Sequence, residues 1–205
     1  MSQNQSNSSV ISNDELEHFN KCQLLSFLKS RGVDVRIMID CTEILCETST
    51  DYAQVGNMYS QYKSHSSSKV LIGVAPCGAC MFVSDCYEGS ISDRRITVES
   101  GLLEKIVQGD VILGDRGFNI HDLCAEKGAT IEIPHFLEGR PAFEEVETAR
   151  NKLLSRARIH VERFNQRIKK FRIISGIVPL SLTPLLSQIV FITCCLANLK
   201  EPLAK

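Results

Sequence analysis

The stretch Val35-Arg36-Ile37-Met38-Ile39-Asp40 is an apolar run that ends in a carboxylate. Apolar runs of this kind, bounded by polar residues, predict a buried β-strand, here over residues 35–46. A carboxylate beside buried apolar residues is costly unless another group compensates its charge. Asp40 is therefore a candidate functional residue.

Two further acids stand beside apolar patterns. Asp115 follows the run 111–113 and Gly114, and Glu162 lies inside a long helical pattern. The run 111–113 predicts a short buried parallel strand. Neighbouring strands lie about 5 Å apart, so Asp40 and Asp115 can meet, with Glu162 on a helix packed over the same edge. Taken singly, each acid is better explained as a turn, cap or surface ion-pair residue; the set of three predicts one site.

The chemistry of such a set follows from charge. Clustered carboxylates repel one another, so one of them holds a proton unless cations are bound. Mg²⁺ prefers a few carboxylates together with water and phosphate oxygens. Two such ions about 3.5–4 Å apart can clamp an in-line displacement at phosphorus. The three acids therefore predict a divalent-metal site for phosphodiester cleavage.

The remaining patterns predict an α/β domain. Strands are predicted at 35–46, 69–75, 80–85, 111–113 and 130–133, and helices at 92–107, 121–127 and 143–171, with a further helix at the C-terminus. Their order favours a ribonuclease-H-like mixed sheet of about five strands flanked by helices. The polar segment 51–68 is predicted to be a loop.

The chain divides into two parts at residue 34. Residues 1–13 are predicted to be disordered because they are polar and rich in Ser, Asn and Gln. Residues 14–31 have the apolar spacing of a short helix. We therefore expect a tail with a short helix over residues 1–34 and one folded domain over residues 35–203.

Basic residues are concentrated around Glu162. From Arg150 to Arg172 there are nine Lys or Arg and one acid, although the formal net charge of the chain is only −1. Such a segment is usually a solvated helix face, but the lone acid within it favours a phosphate-facing surface. Side chains three, four or seven positions from Glu162 share its face. The predicted DNA-contacting residues are Arg116, Arg158, Asn165, Lys169, Lys170 and Arg172.

The nine cysteines favour reduced thiols in an intracellular protein, because the N-terminus has no secretory signal and the count is odd. Cys77 and Cys80 form a lone C-x-x-C in a predicted turn, for which structural zinc is the minor alternative. The apolar segment 180–199 is interrupted by polar residues, which favours a helix docked on the core over a membrane span. The sequence has no Gly-rich phosphate loop and no G-x-S-x-G.

Several blocks of the sequence resemble one known family. These blocks, in order, are Asp40-Cys41-Thr42-Glu43-Ile44, Gly89-Ser90-Ile91-Ser92-Asp93, Leu113-Gly114-Asp115-Arg116-Gly117-Phe118, Arg158-Ile159-His160-Val161-Glu162-Arg163 and Ile168-Lys169-Lys170-Phe171-Arg172-Ile173. With the tail through Leu199, they are similar to the DDE endonuclease domain of Harbinger-type and related insertion-sequence-like transposases of animals. The resemblance covers about residues 35–203.

The resemblance implies that Asp40, Asp115 and Glu162 are the catalytic metal-binding triad. It also implies Mg²⁺ or Mn²⁺ as cofactor, DNA as substrate, strand cleavage and transfer as the reaction, and the nucleus as the location. Asp93 matches a recurrent acid of the family, which we interpret as a helix cap.

Two departures from the family pattern keep other functions open. Residues 1–39 resemble no DNA-recognition module, and residues 86–89 replace a glycine-rich segment of the relatives. We then expect a separate protein to supply DNA recognition. We also expect the chain to form a homo-oligomer and not to bind a membrane. The alternative is a truncated or domesticated protein that binds DNA or a partner without cutting. A cysteine-based zinc-binding interaction module is a third, weaker reading.

Overall fold

A computed structural model describes residues 35–48, 59–60, 65–134, 145–201 and 203. The disordered tail predicted at 1–13 and the helix predicted at 14–31 lie outside the described residues. The domain predicted to begin at residue 35 is described over most of its length.

The described residues form a mixed sheet of seven strands flanked by helices. The strands are β1 (Val35–Leu45), β2 (Tyr59–Ser60), β3 (His65–Val74), β4 (Cys80–Val83), β5 (Tyr87–Glu88), β6 (Val111–Leu113) and β7 (Thr130–Glu132). The helices are α1 (Asp93–Glu99), α2 (Leu102–Lys105), α3 (His121–Glu126), α4 (Glu145–Ile168) and α5 (Leu186–Asn198), and a 3₁₀ helix (Leu180–Leu185) precedes α5.

The strand order is β2-β3-β1-β6-β7, and β4 and β5 also pair with β3. β1 is antiparallel to β3 and parallel to β6, which is parallel to β7. The predicted fold class, an α/β mixed sheet of the ribonuclease-H-like kind, is confirmed. Two of the seven strands have only two residues, so the expectation of about five strands describes the longer ones.

Two local predictions were wrong. The loop predicted at 51–68 contains β2 and the start of β3, where Ser67 and Ser68 pair with β1 and are buried. Strand pairing thus outweighed the polar composition of this segment. The helix predicted at 92–107 is divided at Gly101, whose φ of 75° is left-handed and therefore interrupts the helix.

The pleat of β1 divides the core into two layers. Ile37 and Ile39 face the cluster that includes Ile96 of α1. Met38 and Ile44 face the opposite cluster, which includes α4 and α5. Because alternate residues of a strand share a face, Asp40 lies on the same side as Met38 and thus toward α4.

α4 covers this second face with one apolar stripe. Its buried residues recur every three or four positions: Leu154, Ala157, Val161, Phe164 and Ile168. This spacing gives the helix one face against the sheet. The neighbouring stripe therefore borders the sheet edge where Asp40 lies.

The C-terminal helix docks on the sheet, as the sequence predicts. The amide of Asn198 both accepts from Cys80 N and donates to Cys80 O, each at 2.9 Å, and Ser187 Oγ accepts from Cys86 N. By length and composition alone, Leu180–Asn198 could cross a membrane, with a mean hydropathy of 1.9 and 28% of its residues buried. Its contacts with β4 give it a place on the core of the domain.

Replacing Phe164 with Ala tests the packing of α4. Phe164 is 0% exposed, so we expect the free energy of unfolding to fall by about 3–5 kcal/mol. Phe191 of α5 is 58% exposed, so Phe191→Ala is the matched control and should cost less than about 1 kcal/mol. Urea denaturation of both variants measures the difference, and equal losses would contradict this packing.

Candidate active site

The register of the parallel strands β1 and β6 places two acids at one sheet edge. Met38 lies beside Leu113, and both face the α4 side of the sheet. Asp40 lies two residues after Met38, and Asp115 lies two residues after Leu113. Because side chains alternate between the two faces of a sheet, both acids point to the same side as these residues. Asp40 is inside β1, which continues to Leu45, whereas Asp115 begins the loop after β6.

The loop after β6 is tightly held. Phe118 N donates to Asp115 O at 3.0 Å, and the Phe118 ring is 1% exposed, so it anchors the turn in the core. A Cβ at Gly117 would overlap with the carboxylate of Asp93, so that side chain would have to shift if this residue were not glycine. Asp93 in turn forms an ion pair of 2.8 Å with Lys69. These contacts position the Asp115 carboxylate.

α4 brings three polar residues to the same edge. Arg158, Glu162 and Asn165 are spaced four and three apart, so they share one face of the helix beside its apolar stripe. Asn165 Nδ2 donates to Asp40 Oδ2 at 2.9 Å, which connects the helix directly to β1. The side chain of Glu162 is 49% exposed and that of Asp40 is 24% exposed.

The guanidinium of Arg158 lies among the three carboxylates. Its Nη1 is 3.1 Å from Asp115 Oδ1, and its Nη2 is 3.9 Å from Asp40 Oδ1 and 4.0 Å from Glu162 Oε1. The structure thus brings together all three predicted acids from residues far apart in the sequence. Among the described residues, no group of three or more His, Cys, Asp or Glu side chains is close enough to hold a metal ion.

The site raises the pKa of the Asp40 carboxyl from 3.8 to about 6. Burial is the largest cause, and the charges of Asp115 and Glu162 act in the same direction. The Arg158 guanidinium and the Asn165 hydrogen bond oppose the shift. Burial and two neighbouring acids thus make the Asp40 anion unfavourable despite a nearby cation.

The donor set matches a hard divalent cation. Mg²⁺ and Mn²⁺ prefer carboxylate and water oxygens, and the three acids offer only such ligands. Asp115 and Glu162 are about half exposed, which leaves access for water and for a substrate phosphate. The residues that would hold the metal are Asp40, Asp115 and Glu162, after their carboxylates have moved closer together.

The other predicted site residues fall into two groups. Arg158 and Asn165 are buried and contact the acids, so contact with DNA would require them to leave those partners. The exposed group consists of Arg116 beside Asp115, and Lys169, Lys170 and Arg172 at and beyond the end of α4. The roles assigned to all of these residues stay predictions.

Sequence reasoning missed the support from Lys69. Ser92, rather than Asp93, caps α1, since Ser92 Oγ accepts from Arg95 N at 3.2 Å. Asp93 is the first residue of α1, and its contact with Lys69 joins β3 to the loop after β6. Nothing local in the sequence indicates this pair, because the fold alone brings residues 69 and 93 together.

The cysteines form no zinc-like group in the described part of the chain. All eight cysteines there are free thiols. Cys77 is exposed in the turn before β4, while the Cys80 thiol donates to Phe82 O at 3.4 Å. Cys77 thus lies in the turn and Cys80 begins β4, and the absence of zinc there stays a prediction.

Comparison with known proteins identifies the family. A family model described as DDE superfamily endonuclease matches residues 39–198, which is most of the chain and includes all three acids. No curated protein and no solved structure matches the chain significantly. On the strength of this family match, and in agreement with its fold, the chain belongs to the DDE superfamily of endonucleases.

Proposed function

We propose that this protein is a transposase-derived, metal-dependent DNA endonuclease of the Harbinger type. The observation that carries the proposal is the convergence of Asp40, Asp115 and Glu162 around one point at the edge of the sheet. The family match supports endonuclease chemistry in general. The sequence blocks around Asp40, Asp115 and Glu162 support the subtype.

The chain's own residues would act on DNA as follows. Asp40 is carried by β1, Asp115 by the loop after the neighbouring strand β6 and Glu162 by α4, so the fold presents carboxylate oxygens from three directions. Asn165 orients the Asp40 carboxylate through its amide. Bound Mg²⁺ or Mn²⁺ would supply neutralisation of phosphate charge and activation of the attacking water or 3′-hydroxyl. Arg116, Lys169, Lys170 and Arg172 would hold the backbone phosphates.

The alternative is a protein that binds DNA without cutting it. It is supported by the position of Arg158, which occupies the space between the acids, and by the exposed basic residues after α4. The two functions differ in one measurable respect, since the alternative predicts salt-dependent DNA binding without cleavage under any divalent ion.

The proposal extends to partners and location. The DDE family implies DNA as the substrate. We propose in addition that a separate protein supplies sequence recognition, that the chain works as a homo-oligomer, and that it acts in the nucleus. These three follow from the proposed relationship to transposases.

Nicking of supercoiled plasmid tests the nuclease. With Mn²⁺ or Mg²⁺ we expect the wild type to produce nicked circles, and Asp115→Asn to reduce the rate by at least 100-fold because one ligand carboxylate is lost. Asp122→Asn is the matched control, since Asp122 pairs with Arg94 on the surface and lies outside the site. Equal residual cleavage by wild type and Asp115→Asn would rule out this site.

The raised pKa of Asp40 predicts a pH dependence of stability. A carboxyl with a folded-state pKa of about 6 and an unfolded value near 3.8 favours folding when protonated. This contribution is complete below about pH 4 and is lost as the pH rises through 6. In EDTA, Asp40→Asn should therefore gain stability relative to wild type between pH 4.5 and 7.5, by up to about 3 kcal/mol.

The control for this experiment is Asp122→Asn, for which we expect a change in the free energy of unfolding of the opposite sign. Hydrogen bonding to Arg94 lowers the pKa of Asp122 to about 2, so its anion favours folding. Asp122→Asn should therefore be less stable than wild type at pH 4.5 and at pH 7.5 by nearly the same amount, because Asp122 is ionised in the folded and the unfolded protein across this interval. Chemical denaturation at both pH values measures both variants, and a pH-dependent gain for Asp122→Asn as large as that for Asp40→Asn would contradict the assigned electrostatics.

The exposed basic residues after α4 predict a salt-dependent DNA affinity. We expect the double variant Lys170→Gln/Arg172→Gln to bind duplex DNA more weakly and to lower the slope of log K against log salt by about 2. Lys127→Gln removes an exposed charge after α3 and should leave the slope unchanged. Fluorescence anisotropy between 50 and 200 mM salt measures the slopes. Identical slopes for all three proteins would remove this surface as the binding site.

A further inference from the structure

The side chain of Arg158 is deeply buried for an arginine. Only 9% of it is exposed, and the charged groups of the described residues within 4.0 Å of its guanidinium are the three acids of the candidate site. An arginine in such a position is tolerated only when anions compensate it. The guanidinium therefore lies where its positive charge reduces the repulsion among the three carboxylates.

The acids need that charge because they come from three separate elements. β1, the loop after β6 and α4 each contribute one carboxylate. Without a cation among them, their mutual repulsion would push α4 away from the sheet edge. Arg158 is carried by α4 itself, so its ion pairs hold the helix against Asp115 and Asp40.

The fit of the guanidinium is imperfect. Only the contact with Asp115 is within hydrogen-bonding distance, since the contacts with Asp40 and Glu162 are 3.9 and 4.0 Å long. The buried Nε of Arg158 has no hydrogen-bond partner. On the surface, by contrast, Arg94 contacts both oxygens of Asp122. Exchange of Arg158 would therefore break fewer close contacts than exchange of an arginine held as Arg94 is.

We propose that Arg158 is the built-in counter-ion of the metal-free site, and that a divalent cation takes its place and releases its side chain. This inference rests on the metal dependence in the proposed function. Arg158 is thus a positioning residue that keeps the three carboxylates together before the metal arrives. Metal binding and the exposure of the guanidinium are then one coupled event.

Metal affinity and stability of Arg158→Gln test the exchange. In EDTA we expect this variant to melt at a lower temperature than wild type, and millimolar Mn²⁺ or Ca²⁺ to restore it. Mn²⁺ should bind the variant at least tenfold more tightly, because no side chain has to be displaced. Arg163→Gln is the matched control: it removes the same charge from the same helix, at a position whose side chain does not face the acids. It should leave both quantities near the wild-type values.

The wild-type protein offers a second measurement that needs no variant. Phenylglyoxal modifies exposed arginines, and mass spectrometry reports the rate at each position. We expect Arg158 to react slowly in EDTA and at least fivefold faster with Ca²⁺, which supports binding without cleavage. Arg95, whose side chain is 70% exposed, serves as the internal reference and should not change.

The outcomes separate this inference from the proposed function. Mn²⁺ affinities of wild type and Arg158→Gln within twofold of each other, or an Arg158 reactivity that ignores the metal, would overturn the counter-ion role alone. Absence of Mn²⁺ binding in all three proteins would overturn it together with the metal dependence of the nuclease. If Arg158→Gln does not fold, the phenylglyoxal reactivity of Arg158 in the wild-type protein still tests the counter-ion role.

Discussion

The parallel pairing of β1 with β6 is the constraint on which the site depends. This pairing puts Met38 beside Leu113, and the pleat then aims Asp40 and Asp115 at the same side of the sheet. A slip of one residue would turn Asp40 toward the opposite layer and bury its charge among isoleucines. Because the apolar residues of β1 are buried on both faces, it is the cost of burying the Asp40 charge, rather than the apolar pattern, that disfavours this slip.

The electrostatics of the candidate site destabilise the folded protein. Burial and two neighbouring acids raise the pKa of Asp40, and the compensation from Arg158 is incomplete. Such local conflict is typical of functional sites, where the surrounding structure maintains an arrangement that is unfavourable by itself. Here the apolar stripe of α4, which includes Phe164, supplies that support. The repulsion among these acids is the same property that would attract a divalent cation under the proposed function.

The basic segment of α4 shows how tertiary contacts divide a uniform sequence pattern. From the sequence, its Lys and Arg residues form one phosphate-facing surface. In the structure Arg158 faces carboxylates and Arg167 donates to Ala197 O on α5, while Lys170 and Arg172 are exposed. Helical spacing predicts which residues share a face. Whether that face meets solvent, a carbonyl group or an acid depends on the neighbouring elements.

The sequence by itself determined β1, β6 and α4, because their apolar patterns are local and strong. It also predicted Asp40 on β1, Asp115 just after β6 and Glu162 on α4 as candidate site residues. It failed at residues 65–68, where polar serines join β3 through pairing with a distant strand, and at Gly101, where a left-handed residue divides a helix. Only the tertiary structure decided that Arg158 stands between the three acids and that Lys69 supports Asp93. The reason is physical: these contacts join residues remote in sequence, and their distances depend on how α4 and the loop after β6 pack against the sheet.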